Sequence, residues 1–142
     1  MVDEVDLKIL NILESDSSTS FSEIARKLQL NESTVRKRVL ALMDKQVIKR
    51  FSVSINPQKI GLNTIAIIGV DVDPPKLLEA AQKICDIRET KYVATSTGDH
   101  MIMCEVWAED GKALLRIVSE KLGKIDGVTK ICPAIILEKL KG

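Results

Sequence analysis

Ser33, Arg36 and Lys37 stand three and four residues apart, the spacing that brings side chains onto one face of a helix, with Arg38 at the flank of that face. Lys49 and Arg50 follow a short distance on. A hydroxyl and paired cationic donors suit the edges of bases in a major groove, and a further cationic pair suits phosphate oxygens. Local charge sharpens this reading. Residues 1–32 hold three basic and seven acidic residues, whereas residues 33–50 hold six basic residues and one acid, Asp44. The whole chain carries a formal charge of only +1, so the positive charge is a matter of placement and not of total. Concentrated on one helix and the segment after it, the charge points to double-stranded DNA.

The elements around these residues support that chemistry. Ser20 followed by Glu23 forms a capping box, and Phe21, Ile24, Ala25 and Leu28 recur at helical spacing behind it. Gln29, Leu30 and Asn31 leave room for a tight turn before Asn31 or Ser33 caps the next helix, whose inward side holds Val35, Val39, Leu42 and Gln46. An earlier helix turns Val5, Ile9, Ile12 and Leu13 inward, and Asp3, Glu4 and Asp6 favour its N-terminus through the helix dipole. After Val47 and Ile48, the residues Phe51, Val53 and Ile55 alternate with serines, the period of a strand. Residues 1–55 therefore read as a winged helix-turn-helix.

Pro57 and Gly61 interrupt the pattern, marking residues 56–63 as a linker. Residues 64–142 have another rhythm. Residues 64–72 form a β-branched strand, and Asp73-Pro74 opens a helix carrying Leu77, Leu78, Ala81 and Ile84. Strands are expected at 87–97 and 101–108, joined by a hairpin turn at Gly98-Asp99. Asp110 starts a helix with Leu114, Ile117, Val118 and Leu122 that ends at Gly123, and 128–140 is the last strand. The order β-α-β-β-α-β is that of ferredoxin-like folds, making the chain α+β in class. The first strand is apolar on both faces, with Ala66, Ile68, Val70 and Val72 on one and Ile65 and Ile67 on the other. Two helices cover one face, so a second subunit is expected on the other. Pro133 fits an edge strand, where a missing N–H costs nothing.

Catalysis finds no support in the residues. There is one histidine, no glycine-rich phosphate loop and no serine in a nucleophile elbow, so the chain is not read as an enzyme and no catalytic residue is named. His100 and Cys104 on one strand would be about 13 Å apart, too far to share an ion, and no metal is expected. Cys85, Cys104 and Cys132 are odd in number and set among apolar residues, which reads as reduced core thiols. With 3% aromatic residues there is no stacking platform for single strands. No apolar run approaches the roughly 18 residues a membrane span needs, and no signal peptide is visible, so no membrane partner and a cytoplasmic location are expected.

Taken together, these blocks resemble the Lrp/AsnC, or feast/famine, family of transcriptional regulators over nearly the whole chain. Asp3, Asp6, Ile9, Leu10 and Leu13, then Glu23-Ile24-Ala25 with Leu28, then Ser33-Thr34-Val35 with Arg38, are similar to its helix-turn-helix. Val47-Ile48 and the passage from Asn56-Pro57 to Gly61 resemble its wing and linker, while Thr97-Gly98-Asp99 and Gly127-Val128 resemble parts of its effector domain. Joined to the charge pattern of the helix face and the segment after it, the resemblance gives an expected DNA-binding set of Ser33, Thr34, Arg36, Lys37, Arg38, Lys49 and Arg50. It also implies homodimers joined through the carboxy-terminal sheets, assembly to tetramers or octamers, and an effector, an amino acid or related metabolite, at Thr97, Gly98, Asp99 and His100. No other cofactor is implied. Two departures bear on the effector. The family's Thr-Gly-x-Tyr-Asp turn reads here Thr97-Gly98-Asp99-His100-Met101, with histidine for tyrosine and methionine for the acid. That predicts either no response to common neutral amino acids or a response to an unusual, anionic ligand bound by turn amides and His100. Gln46 stands where the family commonly has glycine after the recognition helix. The competing reading is an architectural DNA-wrapping protein without effector response.

Overall fold

The computed structural model describes residues 1–142, which divide into two compact units, Met1–Ile55 and Asn56–Gly142. The first holds three helices, α1 (Glu4–Ser15), α2 (Phe21–Leu28) and α3 (Glu32–Asp44). Helix α1 begins in a capping box made of two aspartates. The Asp3 carboxylate accepts from the Asp6 N–H at 2.8 Å and the Asp6 carboxylate accepts from the Asp3 N–H at 3.2 Å. Ser20 caps α2 by accepting from the Glu23 N–H at 3.1 Å, and α2 stops at Gln29 in the left-handed region, φ 57°. Asn31 occupies the cap position of α3 without a side-chain bond. The three helices close on Ile9, Leu13, Ile24, Ala25, Val35 and Val39, with Ile48 packed against them from beyond α3.

Two expectations for this unit change. Gln46 does not lie on the inward side of α3. It follows the helix in the left-handed region, φ 59°, and lets the Val47 and Ile48 N–H groups return to the Leu42 carbonyl at 2.9 and 3.1 Å. Nor do residues 49–56 form a strand; Phe51, Val53 and Ile55 remain exposed at 44, 79 and 46%. Alternation makes a segment ready to pair, but a strand exists only where a neighbour supplies its hydrogen bonds, and this unit contains no other strand.

The second unit contains β1 (Thr64–Val72), α4 (Leu77–Cys85), β2 (Thr90–Thr95), β3 (Ile102–Ala108), α5 (Gly111–Arg116) and β4 (Val128–Ile135). The sheet is antiparallel, in the order β2-β3-β1-β4. Ala66, Ile68, Val70 and Val72 of β1 and Ile102, Cys104, Val106 and Ala108 of β3 face Ala80, Ile84, Leu114, Ile117 and Leu122 from the helical layer. Strand β4 is an edge, and Pro133 lies on it opposite Ile68.

Differences from the expected spans have local causes. The chain first makes a 3-10 turn at Pro74–Lys76, which sets the phase of α4 so that Ala80 and Ile84 are buried while Leu78 is 80% exposed. Strand β2 starts late because the Thr90 hydroxyl donates to the Ile84 and Ile87 carbonyls, finishing the exit from α4. Strand β4 stops at Ile135 because β1, its one partner, starts at Thr64; the last bond runs from the Ile136 N–H to the Ile65 carbonyl at 2.8 Å. Of the three cysteines only Cys104 is buried; Cys85 is exposed and Cys132 is half-buried. Burial pushes the Cys104 thiol up to about 11.

Candidate nucleic-acid interface

Helix α3 has two sides with different electrostatics. Val35, Val39 and Leu42 are buried at 3% exposure or less, and the opposite side presents Ser33, Arg36 and Lys37 to solvent. Lys37 has no carboxylate partner. The Arg36 guanidinium lies 3.2 Å from the Glu32 carboxylate one turn back and 5.7 Å from the centre of the Phe21 ring, so its exposed side chain is held over the start of α3. Thr34 is half-buried beside this stripe. Lys49 and Arg50 are exposed and unpaired, which leaves both ammonium and guanidinium available to an anion.

Arg38 stands apart from the other members of the expected DNA-binding set, because it is half-buried and paired within the helical unit. Its Nη1 donates to both carboxylate oxygens of Asp3, at 2.9 and 2.7 Å, and to Asp6 at 3.1 Å, tying α3 to the first turn of α1. Asp6 is the one charged residue that the fold buries, at 8% exposure. The guanidinium and the Asp6 N–H hold the Asp3 carboxyl below the usual aspartate range, and the two carboxylates raise Arg38 in turn. A cation already paired by two carboxylates has little to offer a phosphate. Helix period sets Arg38 about 100° around α3 from Lys37, but nothing local in the sequence names Asp3 and Asp6 as its partners.

The turn at residues 96–101 is the second candidate. The Ser96 hydroxyl donates to the His100 carbonyl at 2.7 Å and the Ser96 N–H to the Met101 carbonyl at 2.9 Å, closing a hairpin with Gly98 at φ 103°. Thr97, Gly98 and Asp99 are exposed. His100 turns away from them. Its ring lies on Gly69 of β1, and Nδ1 donates to the Asp71 carboxylate at 3.2 Å. His100 therefore ties the turn to the sheet through Gly69 and Asp71. Its ring is on the opposite face of the sheet from the Cys104 side chain, which is buried in the helical layer. That face also carries Ile65, Ile67, Met103, Glu105 and Trp107, with the Trp107 indole N–H donating to Glu105 at 2.8 Å and Lys91 5.0 Å above the ring.

Comparison with known proteins bears directly on the two units. Residues 2–43 match the AsnC-type helix-turn-helix domain and residues 65–142 match the Lrp/AsnC ligand binding domain. The chain is 52% identical to the HTH-type transcriptional regulator LrpA of Pyrococcus horikoshii over 99% of its own length and all of that protein's. The chain belongs to the Lrp/AsnC family of transcriptional regulators. It is also 34% identical to regulator Ptr1 of Methanocaldococcus jannaschii over 99% of its length and 95% of that protein's. Two solved Lrp/AsnC-like structures superpose over the full chain: AsnC of Escherichia coli, at TM-score 0.89 and 21% identity over 96% of that chain, and regulator NMB0573 of Neisseria meningitidis in complex with L-Met, at 0.92 and 21% over 94%. As an Lrp/AsnC protein the chain is a transcriptional regulator with a DNA-binding helix-turn-helix in its first unit.

Proposed function

We propose that this regulator works as a homodimer that presents two copies of α3 to a pseudo-palindromic operator. Ser33, Thr34, Arg36 and Lys37 read base edges, Lys49 and Arg50 neutralise phosphates, and Arg38 braces α3 against α1. The observation that carries this is the division of charge on α3: the outward cations are exposed, while the inward one is consumed by Asp3 and Asp6. Matching half-sites then lie about 10 base pairs apart or at a multiple of that. The face of β1 and β3 bearing Ile65, Ile67, Met103 and Trp107 supports dimerisation, because no helix or strand of its own unit packs on it and only the side chains of Lys91, His100 and Lys139 reach across it. Dimers assemble further to tetramers or octamers. A small-molecule effector, an amino acid or related metabolite, binds at the open side of Thr97, Gly98 and Asp99; the matched ligand binding domain and the L-Met bound by the Neisseria neighbour support that class. The chain is not an enzyme, and as a gene regulator it acts in the cytoplasm.

Gel-shift titration of the full chain across a salt series tests the reading. Lys49→Ala weakens binding to all sequences alike and lowers the salt slope by about 0.9 for each phosphate contact removed. Arg36→Ala instead relaxes the preference at one base pair per half-site, by about 1–3 kcal/mol. An Arg36→Ala protein with unchanged affinity and base preference would refute the assignment.

A further inference from the structure

The outward side of α3 contains a residue that neither charge nor hydrogen bonding accounts for. Leu40 is 53% exposed, although its neighbours Val39 and Leu42 are at 1 and 3%. With 3.6 residues per turn, Leu40 lies about 20° from Ser33, about 40° from Arg36 and about 60° from Lys37 around the helix, and at least about 100° from Val35, Val39 and Leu42. It is therefore in the basic stripe, not at the border of the core. About half of Leu40 stays in water in the free unit, and its further burial waits for whatever those cations attract.

We propose that Leu40 reads thymine, packing its side chain on the 5-methyl group in the major groove. This rests on the reading that α3 enters that groove. The thymine methyl is the one apolar group among the base-edge features the major groove displays, so an apolar side chain on a groove-facing stripe has a single complementary base. Position along the helix gives the register. Seven residues separate Leu40 from Ser33, about 10.5 Å of helix, and at 3.4 Å per base pair that is about three steps along the duplex. The preferred site carries a thymine about three base pairs from the one Ser33 contacts, in the direction α3 runs. Contact with deoxyribose instead would bury Leu40 without preference for sequence, and the test separates the two.

The full-length protein selects binding sites from a random duplex pool, and each thymine of the selected site is then replaced singly by deoxyuridine, which removes the methyl group and keeps every hydrogen-bonding atom. One thymine per half-site is expected to lose about fourfold in affinity on that replacement, the effect of burying a single methylene-sized group. In Leu40→Ala that sensitivity disappears, while the free protein still unfolds cooperatively as a folded chain, since Leu40 lies outside the buried cluster of the helical unit. A selected site that tolerates deoxyuridine everywhere overturns the proposal and leaves α3 as the DNA-binding helix. Sensitivity that persists in Leu40→Ala also overturns it, since another side chain then reads the methyl. Failure to retain any duplex at low salt overturns the placement of α3 in the groove and the Leu40 reading with it.

Discussion

Gly69 lies mid-way along β1, and replacing it with alanine tests how the 96–101 turn is held to the sheet. A Cβ built there would overlap Cδ2 and Cγ of the His100 ring and lie 2.8 Å from its Nε2. No side chain tolerates such contacts, so the imidazole must leave. It has somewhere to go, because His100 is 26% exposed and ends an exposed turn. Leaving breaks the bond to Asp71, which contributes about 0.5–1.5 kcal/mol, and a pair one-quarter exposed on each side belongs in the lower half of that range. A second term opposes the loss. Gly69 is not among the glycines at positive φ, so alanine fits its backbone and removes unfolded-state entropy, a gain of about 0.5–1 kcal/mol. Gly69→Ala alone should thus shift stability by less than about 1 kcal/mol, with the two terms nearly cancelling. In a His100→Ala background the clash and the bond are already absent, and the same replacement should stabilise by about 0.5–1 kcal/mol. Urea unfolding followed by Trp107, the only tryptophan and a residue of the same sheet, reads this at fixed protein concentration. Equal destabilisation by Gly69→Ala in both backgrounds would refute the reasoning, since something other than His100 would then occupy the space.

Further outcomes follow from other residues. Arg38→Ala should lower the melting temperature of the helical unit, because it leaves the Asp3 and Asp6 carboxylates without their cation, whereas Lys37→Ala should leave melting unchanged and weaken DNA binding; circular dichroism and gel shifts separate the two. Because Asp3 is held below its ordinary value of 3.8, the unfolded chain binds more protons in that window. The stability this carboxylate contributes is therefore present above pH 3.8 and lost as pH falls through its folded value, and Asp3→Asn should flatten that part of an acid-unfolding profile. Gln46→Gly should stabilise the helical unit by about 0.5–1 kcal/mol in thermal unfolding, since it relieves a left-handed residue at the end of α3. Ile67→Lys, on the sheet face opposite the helices, should turn the proposed dimer into a monomer in sedimentation of the full chain; a monomeric parent protein or an unchanged mass in the variant would refute that interface.

Much of this protein was legible in the chain itself, for reasons of short range. Helix caps depend on residues three apart, so Ser20 with Glu23 and Asp110 with its following turn mark helix starts without reference to the fold. Period decides inward from outward on a helix, so Val35 and Val39 were identifiable as core and Ser33, Arg36 and Lys37 as surface, whereas β1, apolar on both faces, left its helix-covered face to the fold. Pro133 announced an edge because it lacks a donor. What the chain could not decide depended on partners distant in sequence. Arg38 reads as one more cation in a basic run until folding brings it 35 residues back to Asp3 and 32 back to Asp6. His100 reads as a turn residue until β1 offers a bare glycine to lie on and Asp71 to bond. The stretch after Arg50 has the alternation of a strand but no neighbour to pair with in its unit, and periodicity carries no information about neighbours. Helix period puts Leu40 on the side of Ser33 and Arg36, and the fold adds that nothing in the free unit covers it fully, leaving it 53% exposed.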